Sequence, residues 1–374
     1  MPQGFSFTVL AQSAGGRAGR LVTPHGEAAT PVFMPVGTAA SVKGLTPEEV
    51  SGSGASLILA NTYHLMLRPG TEVIRRAGGV GRFMSWDGPV LTDSGGYQVL
   101  SLARRRTIDD QGVRFCSHVD GEWVTLTPEN AMEIQGALRS DIAMALDECP
   151  PAEASAEDHE KAMKRTTAWA RRCVAARRLD TQALFGILQG GVDPSLRKRH
   201  LEELSGLDLD GFALGGLGIG ETPEATAEVI RAVAPILPGD KPRYLMGLGT
   251  PRDIIRAVMS GVDMFDCVLP TRNGRNGQAF VLEGRINIRN ARHAEDPEPL
   301  DPACRCPVCR RFDRRYLHHL FVCREMLGPR LLSLHNLHHY GDLMRTLRRA
   351  ILDGTLEEAA KELLSRPDKE EAES

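Results

Sequence analysis

Residues 261–275 read Gly-Val-Asp-Met-Phe-Asp-Cys-Val-Leu-Pro-Thr-Arg-Asn-Gly-Arg. The apolar run in this stretch predicts a buried strand that carries one acid near its end, Asp266. The strand stops before Pro270, and the arginine, asparagine and glycine residues that follow predict a loop. A single acid in such a place more often caps a turn or pairs with a neighbour, here Arg272, than takes part in catalysis. The role of Asp266 therefore depends on what the rest of the chain places beside it.

The same pattern, a short apolar run followed by a helix-like segment, occurs eight times along the chain. The runs cover residues 33–37, 57–61, 90–95, 141–147, 184–190, 211–216, 244–247 and 263–266. Thr-Pro pairs predict four helix starts, at Thr46, Thr127, Thr222 and Thr250, because threonine suits the N-cap and proline the first helical position. Eight such units with nearly continuous apolar strands predict a closed parallel (β/α)8 TIM barrel. An open doubly wound sheet is the alternative, but no Gly-x-Gly-x-x-Gly motif follows the first strand to support it.

Polar or glycine residues lie at the ends of five of these runs: Asp93, Asp147, Gln189, Gly216 and Asp266. The active site of such a barrel lies at the carboxyl ends of its strands. We therefore expect these five residues to converge on one mouth of the barrel.

Three acids and an amide at one mouth suit chemistry at a sugar carbon. Breaking a glycosidic bond with retention requires a carboxylate nucleophile and a second carboxyl group that moves a proton, and Asp93 and Asp266 can fill these roles. Other groups suit the edge and the face of a purine-like ring: Asp147, Gln189 and the backbone of residues 215–217 for the edge, and Tyr97 or Met246 for the face.

Composition places the chain among soluble proteins of enzyme size, with 374 residues, 42% hydrophobic and 25% charged. No run reaches the roughly 18 apolar residues of a membrane helix, and the N-terminus lacks a signal-peptide pattern. We therefore expect a cytoplasmic protein without a membrane partner.

Residues 5–11 and 18–23, joined by a Gly15-Gly16 turn, predict an N-terminal β-hairpin.

Positive charge is concentrated in residues 268–350, which hold 15 Arg and no Lys against 8 Asp plus Glu, although the whole chain has a net charge of −3. Arginine without lysine favours planar, bidentate contacts to phosphate, so an anionic polymer suits this segment. A solvated surface with internal ion pairs is the alternative interpretation.

Three of the eight cysteines, Cys304, Cys306 and Cys309, are close together. Thiolates at this spacing predict a Zn²⁺ site, and a site with four protein ligands is structural rather than catalytic. Spacing leaves the fourth ligand open among His318, His319, Cys323, His335, His338 and His339.

The predicted domain organisation is a single TIM barrel over residues 1–374 with a zinc-binding subdomain inserted after the eighth strand at residues 273–335. Residues 341–364 have helical periodicity. The polar residues 366–374 predict a disordered tail.

Six motifs carry a family resemblance: Leu-Thr-Asp-Ser-Gly-Gly-Tyr-Gln-Val (91–99), Asp-Glu-Cys (147–149), Gln-Gly-Gly (189–191), Ala-Leu-Gly-Gly-Leu (213–217), Phe-Asp-Cys-Val-Leu-Pro-Thr-Arg (265–272) and Cys-x-Cys-x-x-Cys (304–309). They resemble the bacterial-type tRNA-guanine transglycosylases of the queuine tRNA-ribosyltransferase family, and the match covers essentially the whole chain. The resemblance implies a (β/α)8 barrel with a zinc-binding insertion after the eighth strand. It also implies exchange of guanine at the wobble position of tRNAs with GUN anticodons (those for Tyr, His, Asn and Asp) for a 7-deazaguanine, on the route to queuosine.

The resemblance also implies roles for individual residues. Asp266 would attack the ribose C1′ to form a covalent ribosyl-aspartate, and Asp93 would be the general acid/base. The other matches are Asp147, Gln189 and the Gly216 amide at the purine edge, Tyr97 and Met246 on its faces, the Leu217 carbonyl at an aminomethyl group, Arg272 and Arg275 at the anticodon stem-loop, and Cys304, Cys306, Cys309 and His335 on one structural Zn²⁺ per subunit.

The resemblance implies a homodimer, for which Phe312, Tyr316 and His319 can supply an interface. We expect 7-aminomethyl-7-deazaguanine (preQ1) rather than bulkier queuine as the incoming base, because the stiff side chain of Ile219 and the nearby Cys149 fill the pocket wall.

Two other functions compete with this one. A non-catalytic RNA-binding subunit is disfavoured by the presence of both Asp93 and Asp266, and a barrel glycoside hydrolase by the arginine-rich insertion.

Overall fold

The computed structural model describes residues 2–102, 105–367 and 369–370. The strands are β1 (Ser6–Ser13), β2 (Gly16–Thr23), β3 (Gly26–Thr30), β4 (Val32–Pro35), β5 (Ile58–Ala60), β6 (Val90–Thr92), β7 (Arg106–Asp109), β8 (Gly112–Cys116), β9 (Trp123–Leu126), β10 (Ile142–Met144), β11 (Ala183–Leu188), β12 (Gly211–Leu214), β13 (Arg243–Leu245), β14 (Met264–Cys267), β15 (Gln278–Val281), β16 (Gly284–Asn287) and β17 (Lys369–Glu370). The α-helices are α1 (Pro47–Gly52), α2 (Thr62–Leu65), α3 (Thr71–Arg76), α4 (Val80–Met84), α5 (Gly96–Leu102), α6 (Pro128–Leu138), α7 (Ala156–Ala176), α8 (Pro194–Ser205), α9 (Pro223–Val233), α10 (Pro251–Met259), α11 (Leu269–Arg275), α12 (Arg314–Val322), α13 (Leu327–Leu352) and α14 (Leu356–Ser365).

A parallel barrel of eight strands forms the centre of the described chain, in the order β4-β14-β13-β12-β11-β10-β6-β5. The two strands at the ends of this order are joined by a bridge between Val36 and Leu59. There the Gly37 N–H donates to the Leu59 carbonyl over 2.6 Å. The predicted TIM barrel is confirmed, and each of the eight predicted apolar runs overlaps one of its strands. The strands are short and apolar because both of their faces are covered.

An antiparallel sheet of β1, β2 and β3 lies against the amino ends of the barrel strands. The predicted hairpin is present, and β3 adds a third strand that was not predicted from the sequence. Leu21 and Ala28 of this sheet are buried in one apolar cluster with Met34 and Met264 of the barrel strands. The sheet thus covers the end of the barrel opposite to the mouth where the polar residues converge.

Four helices begin at the predicted Thr-Pro pairs. Thr46, Thr127, Thr222 and Thr250 are the N-caps of α1, α6, α9 and α10, and each threonine side chain accepts a hydrogen bond from the backbone N–H three residues later. These caps satisfy amide groups that a helix start leaves unpaired.

The segment after β14 differs from the sequence-based expectation. The predicted loop at Pro270 is a short helix, α11, which packs against the long helix α13. Close approach requires glycine at Gly274, because a Cβ there would lie 2.6 Å from the backbone nitrogen of Ser333. The glycine in this stretch therefore reflects tight helix packing rather than an open loop.

The chain then forms the antiparallel pair β15–β16 and helix α12 before α13 returns to the barrel. The tail predicted to be disordered, residues 366–374, lies partly outside the described residues. Of the described part, Lys369 and Glu370 pair in parallel with Gly284 and Arg285 of β16. Throughout the described ranges, no helix combines the length and the apolar character that crossing a membrane requires.

Candidate active site and metal centre

A cavity of about 360 Å³ opens at the carboxyl ends of the barrel strands. It is lined by seven of the residues singled out from the sequence: Asp93, Tyr97, Asp147, Gly216, Leu217, Met246 and Asp266. Gln189 reaches the same place through a 2.7 Å hydrogen bond from its Nε2 to Asp147 Oδ2. The barrel thus brings together residues separated by up to 173 positions in the sequence.

Asp266 lies on β14 and faces the cavity. Its Oδ1 accepts hydrogen bonds from the Tyr244 hydroxyl at 2.6 Å and from the Gly247 N–H at 2.8 Å. Burial raises the pKa of Asp266, although these two donors oppose the shift. A desolvated carboxylate held at one oxygen keeps the other available as a nucleophile. Tyr244 was predicted only as a strand residue, and no sequence signal distinguished its hydroxyl.

Asp93 follows β6 and is buried. Its Oδ2 accepts from Asn61 Nδ2 at 2.5 Å, and its Oδ1 accepts from the Thr62 N–H at 2.7 Å. Burial raises the pKa of Asp93 to about 6, and the charge of Asp266 adds to this shift while the bonds from Asn61 and Thr62 oppose it. A carboxyl group with a pKa of about 6 can both donate and accept a proton near neutral pH. The sequence reading missed Asn61, although it ends the second predicted strand.

Asp147 lines the cavity and is hydrogen-bonded to Gln189. Asp147 Oδ1 accepts from the Ser94 hydroxyl at 2.8 Å, and burial raises the pKa of Asp147. The Gln189 side chain is fully buried, and within the described residues its Oε1 has no hydrogen-bond partner. This pair offers hydrogen-bond acceptors and donors side by side, as the edge of a purine requires.

The loop after β12 presents backbone groups to the cavity. Gly216 has a φ of +63°, a conformation that favours glycine. Further along, Glu221 accepts hydrogen bonds from the N–H groups of Gly218 and Ile219. Because the carbonyl and the N–H of one peptide point in opposite directions, the Leu217 carbonyl is turned away from Glu221.

A second cluster can hold a metal ion. Cys304, Cys306, Cys309 and His335 each offer one ligand atom, all within 4.8 Å of one another. The Nδ1 of His335 lies 3.8, 3.5 and 3.3 Å from the three sulfurs in that order. A tetrahedral zinc site, with Zn–S of about 2.3 Å and Zn–N of about 2.0–2.1 Å, places sulfur and nitrogen about 3.6 Å apart.

The second ring nitrogen of His335 supports this assignment. Its Nε2 lies 2.7 Å from the Phe280 carbonyl, so Nε2 carries the proton and Nδ1 is left for a metal. Of the other candidates for the fourth ligand, His318 lies beside the Ile288 carbonyl and His319 beside Cys323. Every protein ligand position of a tetrahedral ion is therefore filled, as in a structural site.

Arg272 and Arg275 lie one turn apart on α11, which follows the strand that carries Asp266. Arg272 is exposed, and Nη1 of Arg275 is buried without a hydrogen-bond partner in the described part of the chain. Burial and the neighbouring charge of Arg272 lower the pKa of Arg275. The two guanidinium groups are thus close enough for their charges to interact.

Comparison with known proteins agrees with this arrangement. A family profile described as queuine tRNA-ribosyltransferase matches residues 12–369. The chain is 53% identical over 363 residues to a protein of that name from Moorella thermoacetica, covering 96% of this chain and 97% of that protein. It is 54% identical over 352 residues to the one from Sorangium cellulosum, covering 94% and 89%. At this coverage and identity, the chain belongs to the queuine tRNA-ribosyltransferase family.

Proposed function

We propose that this protein is a tRNA-guanine transglycosylase, a pentosyltransferase that replaces guanine at the wobble position of tRNAs with GUN anticodons during queuosine synthesis. The observation that carries the proposal is the pair of desolvated carboxyl groups, Asp93 and Asp266, on one cavity. The third acid of that cavity, Asp147, is paired with Gln189 in a way that suits guanine. Membership in the queuine tRNA-ribosyltransferase family supports the same activity.

The reaction proceeds by double displacement. A carboxylate oxygen of Asp266 bonds to the ribose C1′ as the bond from C1′ to the guanine nitrogen breaks, and Asp93 donates a proton to the departing base. The incoming base then loses its ring proton to Asp93 and attacks C1′, which releases Asp266. Two inversions restore the original stereochemistry, and protons balance over the cycle.

Guanine presents one carbonyl oxygen and two donor groups along its edge. In the proposed complex the Asp147 carboxylate accepts from the ring N–H and the amino group, while Gln189 Nε2 and the Gly216 N–H donate to the carbonyl oxygen. Tyr97 and Met246, which both line the cavity, cover the two faces of the ring. The Leu217 carbonyl accepts from the aminomethyl group of the incoming base.

The incoming base is proposed to be preQ1 rather than queuine. Ile219 and Cys149 both line the cavity beside Gly216 and Leu217. We expect the protein to incorporate preQ1 at least about tenfold more efficiently than queuine. The added ring of queuine would clash with these stiff side chains, and a clash discriminates between two ligands more strongly than the loss of a contact does. Ile219→Gly should reduce this ratio, measured with both bases in parallel at matched concentrations. Equal incorporation of both bases by the unmodified protein would contradict the assignment of the wall.

The anticodon stem-loop is proposed to bind across α11 and the arginine-rich segment that follows. We expect Arg275→Ala to lower tRNA affinity by about tenfold and to flatten its dependence on salt. When one phosphate contact is lost, binding of the tRNA releases fewer counterions. Arg82→Ala, at an exposed position on α4, is the control. Filter-binding titrations between about 50 and 200 mM salt measure both quantities. Affinity that does not change with salt would argue against phosphate contacts here.

The metal is proposed to be one structural Zn²⁺ per subunit, held by Cys304, Cys306, Cys309 and His335. Three thiolates and one imidazole are a donor set that selects zinc over magnesium or calcium. With four protein ligands the ion has no open position for substrate, so it would stabilise the insertion rather than take part in the reaction.

A homodimer is proposed from the apolar surface around α12. Phe312 and Tyr316 stack with ring centroids 5.4 Å apart, and the neighbouring Val322 and Met326 are 63% and 88% exposed. Exposed apolar side chains that cluster in this way are typical of an interface. Sedimentation at micromolar concentration tests it, and a monomer would remove the proposal.

Incubation of the protein with radiolabelled guanine and unmodified tRNA tests the activity. A transglycosylase transfers label into acid-precipitable RNA. A non-catalytic RNA-binding subunit binds the tRNA without transferring label, and a glycoside hydrolase does neither. Absence of label in RNA under conditions where tRNA binds would contradict the proposed function.

The hydrogen bond from Tyr244 to Asp266 predicts a pH effect. The nucleophile must be ionised, so exchange declines as the pH falls through the pKa of Asp266, which burial raises and Tyr244 lowers. Tyr244→Phe removes a stabilising donor and should move this decline to higher pH, with kcat/KM lower by about tenfold on the acid side. The pH profile of kcat/KM for tRNA measures it. An unchanged acid limb would mean that Tyr244 does not act on the nucleophile.

A further inference from the structure

Arg197 of α8 is fully buried behind the cavity at the barrel mouth, which is the proposed base pocket. It is not among the residues that line this cavity. Its guanidinium donates to backbone carbonyls from two separate loops. Nε donates to Gly191 at 2.7 Å and Nη1 to Leu188 at 3.0 Å, both at the end of β11. Nη2 donates to Gly215 at 2.8 Å, at the end of β12. One planar side chain thus joins the carboxyl ends of two adjacent barrel strands.

This contact determines the direction of a group that faces the base. Arg197 holds the Gly215 carbonyl, and the same peptide ends in the Gly216 N–H. Because the carbonyl and the N–H of a trans peptide point in opposite directions, the Gly216 N–H is directed away from Arg197 and towards the cavity that Gly216 lines. The Gly215 N–H donates to the Leu188 carbonyl at 3.1 Å, so this carbonyl accepts hydrogen bonds from both Gly215 and Arg197.

The same helix supports Gln189. The Gln189 backbone N–H donates to His200 Nδ1 at 2.9 Å. Glycine at position 190, with a φ of +133°, lets the loop lie on α8, since a Cβ there would come within 3.0 Å of Arg197 Cγ. Both groups that donate to the carbonyl oxygen of the base in the proposed complex therefore rest on α8.

Within the described chain Arg197 forms no ion pair: its hydrogen bonds go to backbone carbonyl oxygens, and Glu221 acts on it only through its charge. Burial lowers the pKa of Arg197 to about 10, so the group stays charged at neutral pH. A lysine would keep a charge but offers one point donor instead of a planar fork. An apolar side chain at this position would remove the buried charge, but it would leave the Gly191 and Gly215 carbonyls without this donor.

We infer that Arg197 is a positioning residue for base selection: it holds the Gly216 N–H and the Gln189 loop so that the site recognises the six-position oxygen of the purine. The inference rests on the proposed function. It requires no contact between Arg197 and the base, since the guanidinium acts through the Gly215–Gly216 peptide.

The experiment compares guanine with 2-aminopurine, which lacks the six-position oxygen. Both are used as competitors in the labelled-guanine exchange assay with wild type, Arg197→Lys and Arg197→Met. We expect the preference for guanine over 2-aminopurine to fall by about tenfold in both variants, the size of one hydrogen bond, while the KM for tRNA stays unchanged. Arg199→Lys is the matched control, because Arg199 lies two residues away on the same helix, is exposed and pairs with Glu160.

Each outcome is informative. Lower activity with an unchanged preference between the two bases would make Arg197 purely structural and overturn the inference. So would failure of both Arg197 variants to fold, as judged by thermal denaturation. If wild type transfers no guanine into tRNA, the proposed function fails instead. Calorimetric titration of guanine and 2-aminopurine then tests the inference without the reaction: a smaller affinity ratio between the two bases in Arg197→Lys than in wild type would support it, and an equal ratio would overturn it.

Discussion

Asp266→Asn is expected to reduce guanine exchange by roughly 10⁴-fold or more, the scale found when a nucleophile that acts in a catalytic unit is removed. An amide is too weak a nucleophile to attack the ribose C1′. The substitution should leave the fold intact, because the amide oxygen can still accept from the Tyr244 hydroxyl and the Gly247 N–H that now bond to Oδ1. The variant should bind tRNA but form no complex that survives denaturing gel electrophoresis.

Asp93→Asn is the companion variant. It keeps the nucleophile and removes the proton donor, so exchange should decline while a covalent complex with tRNA can still form. A covalent band in Asp266→Asn together with its loss in Asp93→Asn would exchange the two assignments. The positions are distinct in structure, since Asp93 is held by Asn61 and Thr62 and Asp266 by Tyr244 and Gly247.

Loss of the metal is the second large effect. Cys306→Ser should abolish stoichiometric zinc binding and weaken tRNA binding by more than about tenfold, because the binding energy of a structural metal is largely folding energy of its module. Cys323→Ser is the control, since Cys323 is exposed and lies outside the four-residue cluster. Metal content and tRNA titration measure the two effects.

The structure also predicts which elements respond to loss of the metal. His335 holds the Phe280 carbonyl, and the next residue, Asn336, donates to the Pro270 carbonyl at 2.9 Å and accepts from the Phe280 N–H at 2.9 Å. Hydrogen exchange should therefore increase in β15, β16 and α11 and stay slow in β11 and β12. Full zinc content in Cys306→Ser, or loss of protection throughout the barrel strands, would contradict this prediction.

The barrel could be predicted from the sequence because its signals are local. Eight apolar runs, each long enough for one buried strand, alternate with helices, four of which have starts marked by Thr-Pro pairs, and parallel strands place their carboxyl ends at one mouth. The convergence of Asp93, Asp147 and Asp266 follows from that topology. The three-stranded sheet β7–β9 was missed, since its strands are short and the outer two, β7 and β9, are largely exposed.

Residues that act through a neighbour could not be predicted in the same way. Tyr244 and Asn61 lie within predicted strands, and only the barrel shows that the Tyr244 hydroxyl meets Asp266 and that the Asn61 amide meets Asp93. A hydrogen bond between residues of different strands depends on how those strands pair in the barrel, which no sequence window contains. The stretch that forms α11 was likewise predicted as a loop because it contains glycine. The structure shows that this glycine allows close contact with α13.

By itself the sequence determined the class of fold, the acids at the strand ends and the cysteines of the metal site, because periodicity, helix caps and close ligand spacing are properties of neighbouring residues. Only the tertiary structure decided which oxygen of Asp266 is held, that His335 Nδ1 faces the three sulfurs, and that Arg197 lies behind the base pocket. These features depend on distances between segments far apart in the chain, and such distances are set when the barrel closes and its helices pack around it.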